Sequence, residues 1–432
     1  MSGLTQPKPR PRYAAKREAI MAAASRVFTD HGISGFTLAA VAKRMDLHPV
    51  SLTYYFKRKE DLAAACILDT FARFRAMLAD AETQGDPPAR LRRFVAAFFE
   101  ERVRIVQGQA AQLVPFAEYK LIGAPHAEAL ETAFQAFNHH IAHLLKSPDR
   151  PWLTPARRDV LARLIVDQLC WSDTWIHAYE LADFPRIAAR VADIMIDGIA
   201  APGCGTPGTA LLSLGAPVAQ NDEITRERFL IAATDLINAE GYRGASVDKI
   251  SARLNVTKGS FYHHNSDKDE LALACFERTF ELIDDAKRQA ASAPTGWDRL
   301  WLAAGSLAAH QASGERGRML RHYSLAALPP EARKVMMGRF QQIAHAFAGV
   351  ISDGTADGSI RPVDPLLAAH LVMAMFNSAP PLEAGAEGST LETVLADHAR
   401  PSLLGFFVPL ERDSLKWMPG QAPVTLFEAE RA

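Results

Sequence analysis

Residues 46–62 read DLHPVSLTYYFKRKEDL, and 209 positions later (255 − 46 = 209) residues 255–271 read NVTKGSFYHHNSDKDEL. Each places a hydroxyl- and aromatic-bearing segment ahead of a lysine, two acids and a leucine, Lys59 to Leu62 or Lys268 to Leu271. Outward from these stretches the register holds without a gap. Of the fifty positions from Arg17 to Cys66, thirteen carry the identical residue 209 places on. Self-similarity over that span marks a duplicated domain, and the period is far too long for a solenoid.

The copies share a helical plan. In the first, Ile20, Ala24, Val27 and Phe28 fall on one helix face and Gly32 ends the element; in the second, Phe229, Ala233, Leu236 and Ile237 do the same before Gly241. A short second helix follows, with Thr37 or Ser246 as its hydroxyl cap and carrying Leu38, Val41, Ala42 and Met45, or Val247, Ile250, Ser251 and Leu254. A third start signal comes three residues after it. Thr257 is a good cap before Lys258, whereas His48 is a poorer one, followed by Pro49, which suits a first helical turn. A fourth helix opens near Lys59 or Lys268, so residues 37–56 and 246–265 read as helix-turn-helix segments.

The rest of each half is predominantly helical in pattern. The first half predicts a long helix over 154–179 and another over 185–199; counterparts begin at Asp364 and Ser389 in the second. Between the halves, APGCGTPGTALLSLGAPVAQ (201–220) has several Gly and Pro and no charge, and reads as a linker. The predicted fold is all-α, with two tandem units, each a helix-turn-helix domain followed by a helical bundle. The expected division is a basic arm 1–15, head one 16–66, helical domain 67–200, linker 201–221, head two 222–275, helical domain 276–408 and a tail 409–432.

Bulk composition sets limits. A chain of 432 residues with 48% hydrophobic and 22% charged residues is globular rather than disordered and holds several domains. Forty-eight basic residues against forty-nine acidic ones give no global sign of a nucleic-acid partner. The four cysteines, Cys66, Cys170, Cys204 and Cys275, include no CxxC, so neither a zinc site nor a disulfide framework is expected, and a reducing cytoplasm fits. No secretory-type apolar run follows the basic N-terminus, and no segment has 18 uninterrupted apolar residues, so no export or membrane span is expected. No phosphate loop, nucleophile elbow or HExxH is present. No catalytic site, metal or cofactor is expected.

These residues resemble the TetR family of bacterial transcriptional regulators. Thr257, Lys258, Gly259, Ser260, Phe261, Tyr262 and His264 stand where that family's recognition pattern places them, with Asn265 in place of an expected Phe. The first copy keeps Ser51, Leu52, Tyr54, Phe56, Lys59, Glu60 and Leu62, but has Val50 for the usual Gly, Thr53 for the usual first Tyr and Tyr55 for the usual His. The resemblance implies an all-helical regulator whose C-terminal domain binds a small effector and forms a two-fold interface through its last two helices. Because the family's unit occurs twice here, it further implies a covalently joined pseudo-dimer, a monomer with two non-identical heads on double-stranded DNA whose half-sites differ.

Carried onto this chain, Pro49, Val50 and Ser51 would face base edges, with Tyr54, Tyr55, Lys59 and the Thr37 cap at phosphates and Thr53 in the same DNA-binding set. The corresponding set in the second head is Ser246, Thr257, Lys258, Gly259, Ser260, Tyr262, His263 and Lys268. Local charge separates them. Residues 1–66 carry 11 basic and 5 acidic side chains, a net of +6, and residues 222–275 carry 7 and 9, a net of −2. The arm residues Lys8, Arg10, Arg12, Lys16 and Arg17 could add phosphate contacts or form a solvated tail. Trp171, Trp175 and His177, on one predicted helix, are the candidate lining of an effector pocket, or else packing residues; the His139 and His143 pair reads as a solvated face. The competing functional reading is a sensor or protein-interaction module with one or both heads degenerate.

Overall fold

The computed structural model describes residues 11–115, 119–204, 211–215, 226–259, 268–382 and 390–409. Among them every regular element is helical apart from a single bridge, Ala200 to Ile360. The first half comprises α1 (Pro11–Gly35), α2 (Leu38–Arg44), α3 (Pro49–Thr53), α4 (Lys59–Ala81), α5 (Pro87–Val106), α6 (Ala127–Leu144), α7 (Pro155–Trp171) and α8 (Phe184–Asp197). The second comprises α9 (Arg226–Gly244), α10 (Val247–Leu254), α11 (Lys268–Ala290), α12 (Gly296–Ser313), α13 (Pro330–Ala356) and α14 (Pro365–Ser378). It closes with α15 (Leu391–Val394), a π-helical turn and α16 (Arg400–Leu404). Residues 11–15 of the expected basic arm belong to α1, which starts at Pro11.

The duplication is visible in single bonds. Gly32 and Gly241 break their helices at φ 62° and 72°, and Asp46 and Asn255, 209 apart, both adopt the left-handed conformation after the second helix. Cys66 Sγ donates to the Met21 carbonyl, and Cys275 Sγ to that of Leu230, the same pair shifted by 209. Burial pushes the two thiols up to about 12 and about 11, so both are inert packing groups. The correspondence extends past the motif. Thr70 Oγ1 accepts from Val114 N at 3.2 Å, and its counterpart Thr279 Oγ1 accepts from Leu320 N at 2.9 Å, each fixing the loop after the next helix.

The chain divides into two compact units, residues 1–76 with 101–137, and residues 77–100 with 138–432. The division does not fall at the linker, because from Pro155 onward the first half packs on the second. In that unit α14 is buried on all sides from Leu367 to Asn377, flanked by α12 and α13 of its own half and by α7 and α8 of the other. An all-round apolar helix needs cover on every face. Two backbone bonds across this seam are reciprocal: Ile199 N donates to Leu403 O (2.8 Å) and Phe406 N to Met195 O (2.9 Å). The glycines beside them, Gly198 and Gly405, are 207 apart, and each lies against the other's backbone.

The helix predicted over 154–179 stops at Trp171. Ser172 Oγ donates to Leu169 O and Thr174 Oγ1 to Trp171 O, and the chain continues as 3₁₀ turns at Ser172–Thr174 and Ile176–Ala178. Short hydroxyl side chains returning to the backbone compete with helical bonding in this way.

Several titratable groups are enclosed in the second unit. Burial pushes His310, His322 and His398 down to about 4 and His370 to about 3, and raises Asp167 to about 6. A histidine lowered from 6.5 contributes stability that is full above that value and lost as pH falls through the window to its folded value. Asp167 acts oppositely, since its raised folded value favours the native state as pH falls from about 6. Four groups oppose one. The melting temperature is therefore expected to fall steadily between pH 6.5 and 4.5; a flat or rising profile in a pH-series melt would contradict the burial of these imidazoles.

Candidate nucleic-acid interface

Head one is built around buried anchors. Thr37 Oγ1 accepts from Ala40 N at 3.0 Å and starts α2, whose Val41 and Ala42 face the core with Ile20, Ala24 and Phe28 of α1. His48 does cap α3, its Nδ1 accepting from Val50 N at 3.4 Å, with Pro49 in the first turn. Within α3 and the residues just after it, Leu52 and Phe56 are buried while Pro49, Val50, Ser51, Thr53 and Tyr54 are exposed, Val50 at 67% and Tyr54 at 75%. The proposed contact residues thus share the outer face. The Thr53 hydroxyl donates back to Val50 O at 2.7 Å, which occupies its proton and leaves its oxygen as an acceptor. Lys59 is half-buried at the first residue of α4, where helix amides and a lysine together suit a phosphate.

Two features had no sequence signal. Tyr13, near the start of α1, stacks on Tyr55 (4.9 Å between ring centroids, 28°) and meets Tyr54 edge-on (5.9 Å), while Tyr54 and Tyr55 are themselves edge-to-face at 5.1 Å. Three tyrosines therefore form one wall, which fixes the exposed Tyr54 ring. His126 Nε2 lies 2.8 Å from Asp61 Oδ1, and with Arg58 it lowers the Asp61 carboxyl. That contact joins the start of α4 to the residue just before α6. Neither pair is near in sequence, so only the folded chain brings them together.

Head two is described over 226–259 and again from 268. Ser246 Oγ accepts from Lys249 N at 3.3 Å and caps α10 as expected. Thr257, Lys258 and Gly259 are exposed, and a Cβ at Gly259 would meet only Thr257 Oγ1, at 3.6 Å. Ser260, Tyr262, His263 and Asn265 lie outside the described residues, as does the side chain of Lys268. Lys258 Nζ is 2.5 Å from Asp248, Arg253 is 3.1 Å from Asp235, and Lys249 pairs with Glu240. Such exposed pairs add little stability. Their effect is electrostatic: three cations that could face phosphates already face carboxylates, consistent with the −2 count.

The candidate effector residues part company. Trp171 and Trp175 are both 1% exposed and fill the seam, Trp171 edge-on to His322 (4.4 Å) and Phe340 (5.6 Å), Trp175 stacked on His370 (5.3 Å). His177, on the 3₁₀ turn after the helix break, is exposed. The tryptophans are therefore packing groups between the halves, and the three do not line one space. His143 and His140 both reach Glu82, at 3.4 and 3.0 Å. Among the described residues no group of acids, histidines or cysteines could hold a metal, and no helix is long and apolar enough to cross a membrane.

A capped helix-turn-helix head on a helical bundle, with its first two helices repeated 209 residues on, defines the fold class. The family described as bacterial regulatory proteins, tetR family, matches residues 20–66 and again 229–275, and a tetracyclin repressor-like C-terminal domain matches 293–380. The chain belongs to the TetR family, with two of its units in tandem. It is similar to the Transposon Tn10 TetC protein of Escherichia coli, 33% identical over 81 residues (19% of this chain, 41% of that protein). It is also similar to the HTH-type transcriptional activator FasR of Mycolicibacterium smegmatis, 38% over 65 residues (15% and 30%). The chain thus spans less than half the length of these curated relatives. Among solved structures, a regulatory protein of the tetR family from Rhodococcus RHA1 aligns at 20% identity and TM-score 0.34 over 42% of this chain and 96% of that one.

Proposed function

We propose that this chain is a ligand-responsive DNA-binding transcriptional regulator, a repressor acting in the cytoplasm, in which one polypeptide supplies both heads of an intramolecular pseudo-dimer. The observation that carries the reading is head one's outer face: Val50, Ser51, Thr53 and Tyr54 exposed over buried Leu52 and Phe56, in a segment with a net charge of +6. The reciprocal seam bonds support the pseudo-dimer, since an interface in which each side contacts the other's equivalent is the signature of a two-fold.

The heads read differently. Val50 and Pro49 offer only apolar surface, suited to a thymine methyl, whereas Lys258 could donate to a guanine edge once released from Asp248. An asymmetric operator follows, with half-sites about 34–36 Å apart on one face of the duplex. A small effector would act by changing the relation of the heads and so lowering affinity. The paired cations of head two favour a second reading, in which that head is quiet and the chain serves as a helical sensor or protein-interaction module.

The test is to let the full chain select duplexes from a random-sequence pool and to titrate the winner by fluorescence anisotropy. Tyr54→Ala and Lys59→Ala are each expected to weaken binding about tenfold, and Lys59→Ala to flatten the salt slope by about one. Failure to enrich any sequence, with only non-specific binding at low salt, would sink the DNA-binding reading.

A further inference from the structure

The linker was expected to be a spacer, yet its middle is seated. Residues 211–215, Leu-Leu-Ser-Leu-Gly, have no regular secondary structure and lie along the cleft between α11 and α12. Leu212 N donates to Ser306 Oγ of α12 at 2.8 Å. Gln289 Nε2 of α11 donates to Ser213 O at 3.5 Å, and Arg316 Nη1 to Gly215 O at 2.9 Å. Leu214 is 2% exposed, and Ser213 between the leucines points to solvent. At Gly215 (φ 75°) a Cβ would come within 3.2 Å of Leu282 and 3.8 Å of His310. Backbone groups satisfied by side chains, with one side chain buried and its neighbour exposed, are how a groove recognises an extended peptide.

The same side chains belong to a network that reaches head two. His310 Nε2 donates to Gly317 O at 2.8 Å, next to Arg316. Arg278 of α11 donates to the carbonyls of Arg316 (2.6 Å), Gly317 (3.3 Å) and Arg318 (2.9 Å), and through Nε to Glu227 of α9 (2.6 Å). Asn238 of α9 donates to Met319 O and accepts from Arg321 N. The loop 316–321 is therefore held from one side by the linker and from the other by the first helix of head two. The linker meets this network eleven residues before α9 begins (226 − 215 = 11).

We infer that the α11/α12 cleft is a binding site for an extended apolar peptide, that its resident ligand is the chain's own segment 211–215, and that occupancy fixes head two through the 316–321 loop. The absence of charge from the linker acquires a reason: a spacer needs no leucines, whereas a seated strap does. The strap makes the join between the halves a mechanical connection, so that release of 211–215 loosens the attachment of head two while head one is unaffected.

Hydrogen–deuterium exchange on the full chain tests this without reference to DNA. In the unaltered protein the amides of 211–215 are expected to exchange on the order of a hundredfold more slowly than a free peptide, a factor that burial of one leucine can sustain. Leu214→Asp is expected to remove that protection and to speed exchange in 314–321 and α9, while circular dichroism keeps its helix content. Leu214→Ala provides a milder version if the acid prevents folding, and Ser213→Asp, on the exposed side, should change nothing. Free-peptide exchange at 211–215 in the unaltered protein overturns the proposal. So does Leu214→Asp exchange confined to the strap, because the loop and α9 would then be independent of it. The consequence for DNA rests on the function proposed above: on the selected duplex, Leu214→Asp should lose one half-site footprint and keep the other. Retention of both would overturn the link to head two, whereas no footprint from any variant would count against DNA binding and leave the strap to be decided by exchange.

Discussion

Gly405→Ala is expected to destabilise the chain by about 3–5 kcal/mol, combining backbone strain with overpacking. Gly405 sits at φ 101°, ψ 145°, a region that L side chains avoid. A Cβ there would lie 2.4 Å from Ile196 O and 2.9 Å from Asp197 C. Both obstacles are backbone, so no rotamer change relieves them. Gly198 faces the mirror problem, with Leu404 C at 2.3 Å. Separating the two backbones would break the Ile199 to Leu403 and Phe406 to Met195 bonds, so the seam yields as a unit. A melting-temperature drop of roughly 3–5 °C is expected for a chain of this size. Gly349→Ala, inside α13 with nothing within 4 Å of its Cβ, should instead stabilise by up to about 1 kcal/mol. Equal effects at 405 and 349 would contradict the seam geometry.

Arg278→Ala is expected to cost about 3 kcal/mol, because the buried guanidinium satisfies the carbonyls of Arg316 and Arg318 and shares that of Gly317 with His310, and each unsatisfied group costs about 1–3 kcal/mol. Its partner Glu227 is substantially exposed and contributes less. Arg278→Lys should restore little, since an ammonium cannot reproduce a planar fork aimed at several acceptors. Denaturant titration measures the loss. A change within about 0.5 kcal/mol of the parent would show that the 316–318 loop is held by other means.

The parts of the structure legible in the sequence are those fixed by local chemistry. Apolar spacing placed α1 and α9, hydroxyl caps placed α2 and α10, and Gly32 and Gly241 marked breaks where positive φ is needed. Leu52 and Phe56 could be separated from Val50 and Tyr54 by helical spacing alone. What was illegible depends on distant partners or, at the helix break, on a contest between local bonds. The helix predicted to Tyr179 stops at Trp171 because Ser172 and Thr174 turn their hydroxyls back on the chain, and composition could not decide that contest. Trp171 and Trp175 look alike for a pocket or a core until His322, Phe340 and His370 are seen against them. Tyr13 gave no signal, since its contact with Tyr54 spans forty-one residues (54 − 13 = 41). The linker's leucines were visible, but a Gly- and Pro-rich setting concealed their use.

The proposed pseudo-dimer requires that one chain carry both heads of a single DNA-binding unit. Mass photometry or sedimentation velocity of the complex with a selected duplex tests it most directly. One 47.2 kDa chain per duplex is expected at saturation, with both half-sites protected. Two chains per duplex, each engaging through one head, would contradict it.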